Sequence, residues 1–165
     1  MNSVSKFSFD RHAFQSFERG AAFEWLETNG IGGWASSTIN GAHTRRYHGL
    51  LVAAVKPPHE RQVLLSKLNR TIQNAHGRFE LGSNRFPGTI APEGYRFISN
   101  FSKELFPSWE FDVPGARLRK TVVCVHGENT TVVLYEVLES DGEFTFELRP
   151  FIAARDYHSL THAND

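Results

Sequence analysis

From about residue 20 onward, apolar side chains recur at every second position rather than every third or fourth, and that regularity restricts the chain to β structure. Trp109-Glu110-Phe111-Asp112-Val113 and Phe144-Thr145-Phe146-Glu147-Leu148 are the clearest examples, each reading as a strand with one face buried and one in water. Comparable runs cover residues 47–55, 61–71, 94–101, 116–125 and 130–139. They are divided by turn signals such as Val113-Pro114-Gly115, His126-Gly127-Glu128-Asn129 and Ser140-Asp141-Gly142-Glu143. The pattern predicts an all-β antiparallel sandwich whose last three runs, joined by short loops, form a meander on a common core. Phe144, Phe146 and Leu148 are expected inside, Thr145 and Glu147 outside. Arg61 to Arg70 is the one rival helix. It lies between Pro57-Pro58 and the strand-like Thr71-Ile72, so a strand is preferred. Residues 74–94, rich in Gly and Pro, read as an exposed loop excursion. Residues 1–20 read as an N-terminal arm and 21–165 as the sandwich.

At 165 residues and 40% hydrophobic content the chain supports one core. Lys plus Arg and Asp plus Glu balance at 18 each, so no global field draws it to nucleic acid or an anionic membrane. The dense basic spots, Arg45-Arg46 and Arg117-Leu118-Arg119-Lys120, are expected on solvated strand faces. Cys124 is single, so it makes no internal disulfide and reads as a small buried hydrophobe. No charged start followed by an apolar core opens the chain, and a cytoplasmic location is expected. The histidines lack metal-ligand spacing and no Gly-x-Ser-x-Gly elbow exists, so neither a metal nor another cofactor is expected.

Asn29-Gly30 is a tight-turn dipeptide, and a type I′ turn there predicts a hairpin of residues 21–28 and 33–39. Gly30-Ile31-Gly32-Gly33 is not a phosphate cradle, because neither Gly-Lys-Ser/Thr nor a helical pattern follows. Sugar recognition suits the remaining chemistry, since glucose rings stack on aromatic faces and pair their hydroxyl edges with Arg, Asp, Asn and His. Trp34, Tyr95 and Trp109 lie near turns where a ring can stay exposed. Arg45, Arg46, Arg155 and Asp156 are candidates for ligand contact or for ion pairs that lock the sandwich or its junction with a further domain, the junction role being preferred to ligand contact. Tyr47 and His48 adjoin them, with His48 expected as a hydrogen-bonded core residue. Glycoside hydrolysis needs a protonated and an ionised carboxyl group. Glu24, Glu110 and Asp112 fall on polar strand faces, where solvent exposure explains them.

The block from Glu24 to Ala54 places Glu24-Trp25-Leu26-Glu27-Thr28-Asn29-Gly30-Ile31-Gly32-Gly33-Trp34 before Arg45-Arg46-Tyr47-His48-Gly49-Leu50-Leu51-Val52. With Leu64-Leu65-Ser66-Lys67-Leu68, Phe106-Pro107-Ser108-Trp109 and Arg149-Pro150-Phe151-Ile152-Ala153-Ala154-Arg155-Asp156-Tyr157-His158, it resembles the N-terminal domain of the bacterial and archaeal type of glycogen debranching enzyme, the amylo-α-1,6-glucosidase family. The resemblance spans roughly residues 20–165. It implies a supersandwich-like scaffold, incomplete at its C-terminal end, within a parent that hydrolyses α-1,6 branch points of glycogen or a related α-glucan by an inverting two-carboxylate mechanism. The resemblance places the catalytic pair in a later helical toroid domain absent from this chain, so no residue here inherits a catalytic role. The expected partners are α-glucan, through the parent, and that catalytic domain. The alternatives are a stand-alone α-glucan-binding module and a purely structural fragment.

Overall fold

The computed structural model describes residues 7–160, with strand over 61% of the chain and helix over 8%, so the sheets are its framework. One antiparallel sheet runs in the order β1 (Phe7–Asp10), β9 (Ile98–Lys103), β10 (Pro107–Val113), β11 (Ala116–Cys124) and β12 (Thr131–Ser140). The other runs β13 (Thr145–Asp156), β5 (Glu60–Asn74), β4 (Gly49–Lys56), β3 (Trp34–Thr38) and β2 (Glu24–Thr28), with β6 (Gly77–Glu80) paired to the end of β5. A small hairpin, β7 (Ser83–Phe86) and β8 (Thr89–Glu93), stands apart from both. Period two accounts for the layering: on β11, Ala116, Leu118, Lys120 and Val122 are buried while Arg117, Arg119 and Thr121 are less so. Trp25, Leu50 and Ile72 from one sheet meet Phe101, Trp109, Phe111 and Leu118 from the other in a single core. Trp25 and Trp109 pack edge to face at 5.2 Å, and the Trp109 indole donates to the Ile39 carbonyl at 2.7 Å, tying the layers together.

The sandwich and the strand assignment of Arg61–Arg70 stand as expected. Several details differ. β11 and β12 are neighbours, but β13 leaves the meander and joins the opposite sheet beside β5. Its inward register holds for Phe146, which packs on Tyr135 at 4.9 Å. Leu148, next on that face, is 45% exposed because the facing sheet ends at β12 and nothing among the described residues covers it. Residues 74–94 are strand pairs rather than loop, and 94–97 form a 3-10 turn before β9. From Phe7 the expected arm is part of the sandwich. β1 pairs with β9, and the short helix α1 (Phe17–Ala21) and the turn before it bury Phe14 and Phe17. Asn40 holds that helix by donating to the Phe17 carbonyl at 2.8 Å.

The β2–β3 hairpin forms, but with a five-residue connection in place of a two-residue type I′ turn, since Thr28 pairs with Trp34. Asn29 is buried and its Oδ1 accepts from the backbone N–H groups of Ile31 and Gly33, at 3.2 and 2.8 Å. Its Nδ2 donates to the Glu128 carbonyl at 2.8 Å, so the side chain organises the loop and fastens it to the β11–β12 connection. Gly30 has φ 79°, and a Cβ there would run into the His126 ring.

Candidate functional site

Strand β3 sends Trp34 to the surface, the β3–β4 connection brings Tyr47 beside it, and the turn after β13 adds Tyr157 and His158. Ring centroids lie at 5.8 Å for Trp34–Tyr157, 5.8 Å for Tyr47–Tyr157 and 5.6 Å for Tyr47–His158. The Arg61 guanidinium covers both Trp34 and Tyr157, at 5.6 and 5.7 Å from their centroids, and donates to the Gly32 carbonyl at 2.6 Å. Reciprocal bonds seal the two turns together. Arg46 Nη1 donates to the His158 carbonyl at 2.9 Å, and Arg155 Nη2 donates to the Arg46 carbonyl at 2.6 Å. Asp156 caps its own turn by accepting from the His158 N–H at 2.8 Å. The arginines thus spend their donors on backbone, and Trp34 spends its indole N–H on the Tyr47 carbonyl at 3.1 Å.

An open depression of about 360 Å³ adjoins this cluster, lined in part by Glu24, Leu26, Trp34, Arg45, Tyr47 and His48. That volume falls within the range of small-molecule sites. Arg45 pairs with Glu24 at 2.5 Å on its rim. His48 is buried beneath it; Nδ1 accepts from the Thr44 N–H at 3.1 Å, and Nε2 faces Glu24 at 3.4 Å. Burial lowers the His48 pKa against the opposing Glu24 carboxylate, with Arg45 adding to the lowering, and the Thr44 N–H on Nδ1 places the ring proton on Nε2. Ring faces and a carboxylate rim suit stacking and hydroxyl pairing; the cluster offers no activated nucleophile.

Six of the eight candidates, Trp34, Arg45, Arg46, Tyr47, Arg155 and Asp156, therefore meet on one surface, and His48 lies just below. Trp109 does not: it is 2% exposed in the centre of the core, 4.3 Å below the Lys120 ammonium. Tyr95 is likewise buried, packed on Phe17. Proximity to a turn misplaced both, because Trp109 sits within β10, on its inward register with Phe111. Arg61, Tyr157 and His158 belong to the cluster and were not singled out. A signal for the last two existed in the paired Arg-x-Tyr-His runs, Arg45 to His48 and Arg155 to His158, which the fold packs together.

Three carboxylates, Glu93, Glu110 and Glu147, are shifted the opposite way from what a general acid needs. Glu110 is clamped by Arg117 at 2.7 Å and Arg119 at 3.0 Å, and those bonds outweigh its burial to hold its pKa low. Arg78 and Arg149 lower Glu147, and Arg96 lowers Glu93. Glu24 and Asp112 sit in ion pairs with Arg45 and Arg11. No helix among the described residues is long and apolar enough to cross a membrane.

No curated protein and no solved structure matches the sequence. The family described as glycogen debranching enzyme N terminal matches residues 24–165, a span that includes the hairpin, the aromatic cluster and every strand of the sandwich except β1. The chain belongs to the glycogen debranching enzyme N-terminal family.

Proposed function

We propose that this chain is the non-catalytic sandwich of an enzyme that hydrolyses α-1,6 branch points in glycogen or a related α-glucan, and that the surface around Trp34, Tyr47 and Tyr157 borders the glucan cleft. The observation that carries the non-catalytic reading is the state of the carboxylates: those with displaced pKa values are displaced downward by arginines, whereas hydrolysis requires one raised. Family membership supports the parent activity. The apolar side chains left uncovered along β12 and β13, Leu134, Val137, Leu148 and Ile152, support packing against a further domain. The reading places the protein with its glucan in the cytoplasm. In a full-length enzyme carrying this domain, Trp34→Ala lowers branch-point hydrolysis more than it lowers the unfolding midpoint; equal loss of both assigns Trp34 to structure alone.

The same open ring cluster favours a second reading, a self-sufficient glucan-binding module. Retardation of the isolated chain in a glycogen-containing native gel, lost in Trp34→Ala, separates it from the scaffold reading.

A further inference from the structure

Between the two sheets lies a cavity of about 40 Å³ that the glucan reading does not use. Its walls include Trp25, His43, Ser66, Lys67, Arg70 and Lys120, and no carboxylate. Lys120 enters from the inward face of β11, is 8% exposed, and finds a ring face but no hydrogen-bond acceptor among the described residues. Arg70, on the facing strand β5, gives its terminal nitrogens to the carbonyls of Leu68 and Leu81 and leaves Nε buried without an acceptor. The indole N–H of Trp25 is buried and unpartnered as well. Lys67 alone is well served, donating to the Ser83 carbonyl at 2.7 Å and to Asn84 Oδ1 at 2.6 Å.

Three basic side chains surround one space that no carboxylate lines, and the unmet donors of Arg70, Lys120 and Trp25 leave its hydrogen bonding unbalanced, with the buried Tyr135 hydroxyl beside Arg70 unpartnered as well. Water filling the cavity meets the donors but leaves the Arg70 guanidinium without a counter-ion among the described residues. A negatively charged acceptor meets both demands. We propose that the cavity binds a small inorganic anion of halide size, held by the Lys120 ammonium, the Arg70 Nε–H and the Trp25 indole N–H. The space corresponds to a few water-sized groups at roughly 10–15 Å³ each, which suits chloride or bromide better than a tetrahedral oxyanion.

Binding is linked to protons. Burial, reinforced by Arg70 and Lys67, pushes the Lys120 amine well below the lysine range, and burial brings Lys67 down to about 7. His43, on the cavity wall, is held neutral by burial, with Lys67, His48, Lys120 and Arg155 adding to the effect. An anion holds the lysines charged, so its affinity falls as pH rises.

The test follows thermal unfolding of the 165-residue chain at pH 6.5 in sodium gluconate, with chloride, bromide or phosphate replacing gluconate at constant ionic strength. The expected result is a saturable rise in the midpoint with chloride and bromide, smaller at pH 9. Lys120→Met should raise the half-saturating concentration by roughly tenfold or more, as expected for loss of a charge-assisted bond. A midpoint equal in all four salts, a response to phosphate alone, or an equal chloride response in Lys120→Met overturns the site. If that variant does not fold, crystals of the unchanged chain soaked in bromide decide: an anomalous peak between β5 and β11 supports the site, and its absence refutes it.

Discussion

Gly30 and Trp109 show how much depends on where one side chain points. Gly30→Val introduces a branched residue at φ 79° against the His126 ring, and the expected cost is about 1–3 kcal/mol. A denaturant titration checks it, with an unchanged midpoint counting against the loop geometry. Trp109→Ala empties the centre of the core and should cost about 3–5 kcal/mol. Trp34→Ala, at the half-exposed cluster, should cost well under half of that in the same titration. The glycine requirement at residue 30 follows from the Asn-Gly dipeptide alone, whereas the loop length depends on Asn29 bonding to the distant Glu128, which no local pattern contains. Lys120 is the reverse case. Period two along Ala116, Leu118, Lys120 and Val122 already puts it inside, but the composition of Arg117-Leu118-Arg119-Lys120 suggested a solvated face, and only the arginines obey that.

At the scale of elements, β5 and β11 bring Lys67, Arg70 and Lys120 around one cavity and give the sandwich an unusual response to pH. Lys67 titrates near 7 when folded against about 10.5 when unfolded, so the unfolded chain holds more protons between those values. Stability therefore rises with pH across that window, and the lowered pKa of His43 extends the rise downward, with stability lost as pH falls below about 6.5. Above about pH 10 the raised pKa values of Tyr95 and Tyr135 reverse the sign. Urea midpoints measured from pH 6 to 10 in low-halide buffer should climb; a flat or falling profile contradicts the buried cations. Strand content and alternation were readable in the sequence because each strand carries its own period. The departure of β13 to the second sheet was not. Phe146 alternates identically in either sheet, and its partner Ile72 lies in a strand far back in the chain.

The whole molecule is a sandwich with an apolar flank along β12 and β13, an aromatic cluster that includes the turn after β13, and several carboxylates held in ion pairs with arginines. The residues of the cluster come from four stretches of sequence, around Trp34, Arg45 to His48, Arg61 and Arg155 to His158, and only the shared Arg-x-Tyr-His runs connect two of them in the sequence. Family membership rests on the block from Glu24 onward and was the most readable property of all, because the glycine loop and the Arg-Arg-Tyr-His turn are contiguous. The proposed role of this domain is to support branch-point hydrolysis without performing it. Cleavage needs a carboxyl of raised pKa opposite an ionised partner, and each missing acid–base group forfeits about 10²–10⁴-fold in rate. The most direct measurement is glucose release from a branched limit dextrin by the purified 165-residue chain at neutral pH. No release above the uncatalysed background is expected. Release that disappears when any one of the chain's own Asp or Glu residues is changed to Asn or Gln would contradict it and place an active site within this sandwich.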